Sequence, residues 1–499
     1  MSATVTEAYA PTKDDRFHVR FLWAVTLLSG AVLWLRPIAS SFWEDELVTW
    51  WVIDGSFREM LHRSYALQGQ SALYYPLAWL VRHVSDKEWV LRLPSVIALV
   101  GAAYLLFLLA TRLLDRELGR LAVLVFVLWP GIAFEASNAR PYAIAVLVTV
   151  ASVFALVTWL DRGSRGSMVV WIALTALLAY AHIVFVLAIP AQLLYAIARR
   201  RDGSTRVSTR AIISGVAIVA VLDLGLVPQL IGLFDRRGAL ILSTALSFDW
   251  FGNLLVPALF VGALILGGTT AWVTSSLTLE PMRIDRSSAV LVLSWLLIPL
   301  IVLAVLALTT SIRLLEVRYT LMVAPAGALL VATALRAIHP PPARRIIAAV
   351  LAVFTVWGTA GVLKAGEDWR WAASTAQAAS DPNSVTLLHP GLVESGQLDW
   401  FSDPEKRSYL MTPTAYYSFP GPIVPVPIGA TSKSEAFLSR ELADLPSSVD
   451  RIIYVTRFPG AGFLTYLQGW ASAGGWEVTQ TQWRGNMVVM TLERSAPAA

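Results

Sequence analysis

A helix that crosses a bilayer needs about 20 consecutive, mostly apolar residues. This chain offers eleven candidate stretches: 20–38, 92–112, 120–134, 141–160, 167–182, 183–198, 211–230, 253–271, 288–308, 319–337 and 345–363. A water-soluble core cannot absorb so many. The composition agrees, with 56% hydrophobic and only 15% charged residues over 499 positions and a mean hydropathy of +0.61, against about 25% charge in a typical soluble domain. The expected fold is an all-α polytopic membrane bundle of about 11 transmembrane helices spanning 20–363. A polar tail, 1–19, precedes it and lacks a signal-peptide cleavage site, so the first span is expected to stay as an anchor.

The run 167–198 is almost unbroken, and it is divided at Ala181–His182 because a histidine is costly in mid-bilayer and tolerable at a helix end. Charge supports the division. With the N-terminus cytoplasmic, the inner segments collect Arg112, Arg116 and Arg120, Arg162 and Arg165, Arg199–Arg201, and Arg336, Arg344 and Arg345, as the positive-inside rule requires. Two long segments then fall on the far face. One is the first loop, 39–91, with amphipathic pieces at 47–66 and 71–84 expected to lie along the interface. The other is 364–499, where polarity returns to normal. Strands are read there at 384–390, 451–457 and 486–493 and helices at 369–380 and 432–445, which predicts an extracytoplasmic α/β domain.

Several chemistries are excluded. There is no cysteine, so disulfides and thiolate sites are absent. A net charge of +5 over this length is no nucleic-acid footprint. No Walker loop, dinucleotide fingerprint or HExxH is present. Asp223 is the one acid placed inside a bilayer core.

Three consecutive acids, Glu44-Asp45-Glu46, follow the first span. They read either as the acidic start of a helix or as a general base or metal site. Phe134 to Tyr142 lies on the same face and carries Glu135 and Arg140, either a helix–helix lock or a functional interfacial pair. Arg92, His182, Arg318 with Tyr319, and His62 with Arg63 converge on that face. Arginine suits a lipid phosphate, although interface snorkelling or an Arg92 pair with Glu88 or Asp86 would also account for such residues. Asp45, Glu46 and Glu135 are compatible with a divalent cation but do not demand one.

The order of these pieces resembles the GT-C superfamily of integral-membrane glycosyltransferases, in particular its bacterial branch of protein O-mannosyltransferases (family 39) and lipid A aminoarabinose transferases. The likeness runs through Asp45-Glu46, Ser71-Ala72-Leu73-Tyr74-Tyr75-Pro76, Glu88 to Ser95, Ala139-Arg140-Pro141-Tyr142, Tyr180-Ala181-His182, Arg318-Tyr319 and Asp368-Trp369-Arg370. The resemblance implies transfer, with inversion, of a sugar (mannose is the expected one) from a polyprenyl-phosphate donor to a glycan, glycolipid or protein acceptor outside the cytoplasm. Asp45 matches the base and Glu46 its companion. Arg318, Tyr319, Arg92, Arg140, His182, Glu135, Tyr74, Gln70 and His62 are the candidate donor and substrate contacts. Two departures stand out. Asn138 takes the place of an acid, the nearest acid being Glu135. Gln70-Ser71-Ala72 replaces a Lys-Pro-Pro or His-Pro-Pro, leaving Gln70 or a neighbouring arginine to substitute. The expected setting is a bacterial plasma membrane with the N-terminus inside. The rival readings are a transporter or flippase of a lipid-linked glycan, and a non-catalytic scaffold.

Overall fold

The structure, a computed structural model, describes residues 13–65, 72–235, 278–279, 284–310, 316–360, 367–457 and 463–495. The expected span 253–271 and the candidate contact Gln70 lie outside the described residues. Among those described, eight helices are long and apolar enough to cross a membrane. They include α1 (Lys13–Gly30, continued by tighter and wider turns to Ala39), α5 (Glu88–Leu113), α8 (Tyr142–Arg162) and Thr209–Leu233. A ninth crossing is a bent pair, α6 (Arg116–Leu128) with α7 (Pro130–Ala136), and α9 (Arg165–Ala181) is a shorter apolar helix. Ten of the eleven stretches are therefore helical where the sequence placed them.

The bend has a local cause. Proline has no N–H to continue a helix and pushes its predecessor out of the α region. Trp129 is accordingly extended (φ −62°, ψ 119°), and α7 leaves α6 at 68°. The expected straight span 120–134 thus stops at Leu128. Its last part turns across the end of the bundle and carries Glu135 with it. The division at Ala181–His182 is present: α9 ends at Ala181, His182 is extended (φ −167°, ψ 121°), and a 3₁₀ turn over Ile183–Ala188 starts the next span.

One end of the bundle is rich in arginine. There Asp161 is shared by Arg112 at 2.6 Å and Arg199 at 2.8 Å, and Glu117 pairs with Arg344 at 2.8 Å. Helices starting at that end carry the side-chain caps their sequences offer, Asp115, Ser164, Ser208 and Asp285, each satisfying an otherwise orphan N–H. Helix α8 is the innermost, 78% buried against 22% for the peripheral Thr209–Leu233.

The first loop differs from expectation. The piece 47–66 is broken into α2 (Glu44–Ile53) and α3 (Phe57–Arg63). Gly55 at φ +144° and the Ser56 cap, which accepts from the Glu59 N–H, make the break. Beyond its first turn, helix α2 is covered by protein on every side. Leu47 to Ile53 are buried without exception, as befits a helix apolar on all sides. It is sandwiched between the bundle with α4 (Tyr74–Arg82) and the C-terminal region. Trp50 donates its indole N–H to the Ala415 carbonyl at 3.0 Å, and Trp51 donates to the Ser408 hydroxyl at 2.8 Å.

The C-terminal region forms a five-stranded mixed sheet: β1 (Ser384–His389), β2 (Ile423–Pro425), β3 (Arg451–Thr456), β4 (Trp476–Arg484) and β5 (Met487–Arg494), in spatial order β2-β1-β3-β5-β4. The first three run parallel and the last two antiparallel. Helices form at Trp369–Ala379 and Ser432–Ala443, close to the two predicted. Strands β2 and β4 escaped the sequence reading, the first because it has three residues, the second because its outward residues are mostly polar. Leu388, Ile453, Val455, Met487 and Val489 on one face join the core that continues through the first loop into the bundle. The opposite face builds a separate small core with Leu438, Leu442 and Leu467.

Candidate functional site

Successive residues on a helix point about 100° apart. The three acids that open α2 consequently splay in three directions, and each meets its own arginine. Glu46 turns inward. Arg92 grips it with Nε to Oε1 at 2.7 Å and Nη2 to Oε2 at 2.5 Å, and the Ala139 N–H donates to Oε1 at 2.7 Å. Glu46 and Arg92 are both wholly buried, and Arg92 spends its other donors on the carbonyls of Ile38, Ser40 and Ser41. Both sequence expectations for this pair need correction. Arg92 is unreachable for a donor phosphate, and its partner is Glu46 rather than Glu88, which pairs with Arg370 at 2.5 Å. Both Glu46 oxygens are engaged by Arg92 and by backbone N–H groups of Ala139 and Trp43, which ties the start of α2 to α5.

Glu44 turns outward to the C-terminal region and is also wholly buried. Its carboxylate lies 3.0 Å from Arg457 Nε, at the end of β3. Arg457 also reaches Glu367 at 2.5 Å and the Gly391 carbonyl at 3.1 Å. Glu367 in turn accepts the Glu44 backbone N–H at 2.9 Å. Burial pushes the Glu44 carboxyl well above the usual carboxylate range, and Arg457 opposes this only in part.

Asp45, between them, keeps 21% of its side chain exposed. Arg318 donates to Oδ2 at 2.5 Å, and Arg140 lies 3.7 Å away while donating to the Asp45 carbonyl at 2.9 Å. Burial would raise the Asp45 carboxyl, but Arg140, Arg318 and Arg457 together outweigh it and hold it below the ordinary aspartate value. It is therefore ionised at neutral pH.

Arg318 and Arg140 continue into an aromatic floor. Arg318 lies over Tyr319 at 5.4 Å and Arg140 over Tyr142 at 5.9 Å. The His182 ring packs 5.0 Å from Tyr142 and 5.6 Å from Tyr319. Asp45, Arg318, Tyr319, His182, Tyr142 and Arg140 thus close a ring of contacts. Several buried polar atoms around it have no hydrogen-bond partner among the described residues: both His182 nitrogens, the Tyr74 hydroxyl, and Nε of Arg140 and of Arg318. Buried polar atoms are normally bonded, so this concentration marks a place for a polar ligand or water. Tyr74 and Glu135 belong to the same neighbourhood, since the charges of Arg140, Glu46 and Glu135 all act on the Tyr74 phenol. Asn138, where an acid was looked for, accepts the Trp43 indole N–H at 2.9 Å.

His62 is not part of this group. It stands 60% exposed on α3 and faces Glu405 at 3.3 Å. Arg63 is equally remote, its guanidinium bound to the carbonyls of Trp51 and Asp54. The metal set also fails to assemble: no group of three acids or histidines suited to an ion occurs among the described residues, and Glu46 is already saturated. Sequence reasoning missed Arg457 and Glu367, which lie more than 300 residues from α2. The one local hint was a cation two residues after the apolar run Ile452–Val455, at the end of a strand.

Comparisons with known proteins agree with this architecture. Residues 72–231 match the family model described as dolichyl-phosphate-mannose-protein mannosyltransferase. The crystal structure of ArnT from Cupriavidus metallidurans bound to undecaprenyl phosphate aligns with a TM-score of 0.57 at 13% identity, covering 96% of this chain and 99% of that one. The apo state of ArnT aligns at 0.53, with 12% identity and coverages of 96% and 98%. No curated protein matches by sequence. The chain has the GT-C fold of integral-membrane glycosyltransferases.

Proposed function

We propose that this chain is an inverting glycosyltransferase that moves a sugar from a polyprenyl-phosphate donor to a hydroxyl acceptor, with Asp45 as general base. The observation that carries the reading is the splay of the acidic triplet. Two acids are sealed, and the third opens beside two arginines at the end of a bundle with the GT-C fold. The family match over 72–231 and the undecaprenyl phosphate in the similar ArnT structure support a lipid-phosphate donor, and the family description favours mannose.

In the reaction Asp45 accepts the acceptor's hydroxyl proton, the acceptor oxygen bonds to the anomeric carbon, and the bond from that carbon to the phosphate oxygen breaks. The electron pair leaves with the polyprenyl phosphate. Arg318 and Arg140 are placed to hold that growing negative charge. In the ligand-free chain they are engaged with Asp45. A donor phosphate that draws them away restores the basicity their charge suppresses, so the base becomes effective once the donor is seated. The positive-inside rule supports a reading with the arginine-rich end in the cytoplasm, and with it a site facing the outside of a bacterial plasma membrane, next to the C-terminal sheet.

The test is incubation of the full chain in proteoliposomes with synthetic polyprenyl-phosphate sugars and candidate acceptors, following released lipid phosphate and product by mass spectrometry. Asp45→Asn should lower transfer by about 100-fold or more, the lower bound for a general base, with folding and insertion unchanged. Full activity of that variant refutes the assignment. Movement of labelled donor across the bilayer without acceptor or product would favour a flippase.

A further inference from the structure

The chemistry assigned to Asp45 leaves one feature unused, the buried cluster on the other side of α2. We infer that Arg457 is a positioning residue for Asp45, acting from the C-terminal sheet across the domain boundary; this rests on the glycosyltransferase reading. The first turn of α2 is fixed at both flanks of Asp45. On one flank Glu46 is locked to Arg92. On the other, Arg457 donates to Glu367 at 2.5 Å and its Nε lies 3.0 Å from the Glu44 carboxylate, an ion pair without hydrogen-bond geometry, and Glu367 accepts the Glu44 N–H at 2.9 Å. Glu367 also accepts the Trp369 indole N–H at 3.2 Å, and Trp369 is wholly buried. An anion on the first N–H groups of a helix suits the helix dipole, so Glu367 caps α2 from outside while Arg457 sets its single positive charge between the two carboxyls. With both neighbours pinned and its own carbonyl tied to Arg140, Asp45 retains only side-chain rotation, and its aim at the opening is set by Arg457.

The carboxyls of Glu44, Asp45, Glu46 and Glu367 lie among Arg92, Arg140, Arg318 and Arg457. Burial already lifts the Glu44 carboxyl well above the usual range, with Arg457 opposing it. Removal of Arg457 leaves Glu44 and Glu367 face to face with no cation between them, an arrangement that low dielectric punishes. The groups facing Asp45 are Arg140 and Tyr142 from the α7–α8 corner and the start of α8, Arg318 from the late span, Glu44 and Glu46 from its own helix, and Arg457 from β3. Arg457 is the cation among them whose ion pairs are with Glu44 and Glu367 and not with Asp45, so its effect on Asp45 is separable from the Arg140 and Arg318 contacts.

The experiment compares Arg457→Gln, Arg457→Lys and the charge-neutral pair Glu44→Gln/Arg457→Gln in the full chain, keeping only protein with a cooperative melt. For Arg457→Gln we expect kcat about 30-fold lower, donor KM within about threefold of the parent, and the acidic limb of the kcat–pH profile moved to higher pH, because a cation that lowers the Asp45 carboxyl is gone. Arg457→Lys keeps the charge but not the two-pronged grip. It should leave the limb in place and recover part of kcat. The double variant serves if Arg457→Gln does not fold, and its kcat should stay at least tenfold low. An activity-independent arm follows labelling of Asp45 by a water-soluble carbodiimide against pH, with Asp45→Asn as blank; the Gln variant's midpoint should rise. A limb and a labelling midpoint that do not move, or a double variant with parental kcat, overturn the inference. If the parent transfers no sugar while the labelling midpoint still shifts, the functional reading fails and the positioning one stands.

Discussion

Three adjacent carboxylates have near-identical side-chain chemistry, yet their surroundings give them different tasks. Asp45 has an open side and two shared arginines, so it can exchange partners with a ligand. Glu46 has its oxygens filled by Arg92 and the Ala139 N–H, and exchange would strand a buried guanidinium. Glu46→Gln should therefore act on stability, costing about 3–5 kcal/mol as one partner of a buried pair is removed. Thermal melting in detergent would register it, while protein that remains folded should still transfer sugar. Loss of transfer with an unchanged melt would return Glu46 to the chemistry. The sequence made this triplet conspicuous but could not rank its members, because the ranking depends on which arginine each one meets.

At the scale of elements, two breaks aim the site. Pro130 turns α7 by 68° across the bundle's end and brings Asn138 to Arg140 over α2. Gly55 ends α2 and lets α3 fold back. At Gly55 the backbone stands at φ +144°, and a Cβ would lie 2.7 Å from the Glu59 carboxylate that completes the next cap. Gly55→Ala should thus cost more than about 1 kcal/mol, read as a lower melting temperature, and should loosen α3 before it affects α5. An unchanged melt and an unchanged proteolysis pattern at 54–63 would contradict this. The Pro130 break was not read from the sequence, which took 120–134 as one straight span because the apolar run continues across the proline. The break in 47–66 was not read either, since its apolar periodicity carries across Asp54-Gly55-Ser56.

For the whole molecule, the C-terminal sheet and the first loop share one core. Trp50, Trp51, Trp369, Tyr409 and Tyr417 are buried between them, each such aromatic or aliphatic burial contributing about 1.5–3 kcal/mol. The Tyr417 hydroxyl accepts the Phe42 N–H at 2.9 Å, and Arg370 pairs with Glu88 at the entry to α5. A chain truncated after Ala360 should insert but leave α2 exposed, with rapid proteolysis of 44–63 and no transfer. Protection of that loop in the truncated chain would show that the sheet is not needed to hold it.

Sequence alone determined the spans among the described residues, their arginine-rich end, three of the five C-terminal strands with two of the helices, and the prominence of 44–46. Those are local properties: apolar length, charge alternation, proline and glycine placement, and side-chain type are all read within about 20 residues. The division of labour among the acids, the burial of Arg92, the separation of His62 and the reach of Arg457 were decided by tertiary structure. Each depends on which distant group arrives beside a carboxylate, and in a low-dielectric interior that neighbour sets whether a charge is sealed, shared or free to react.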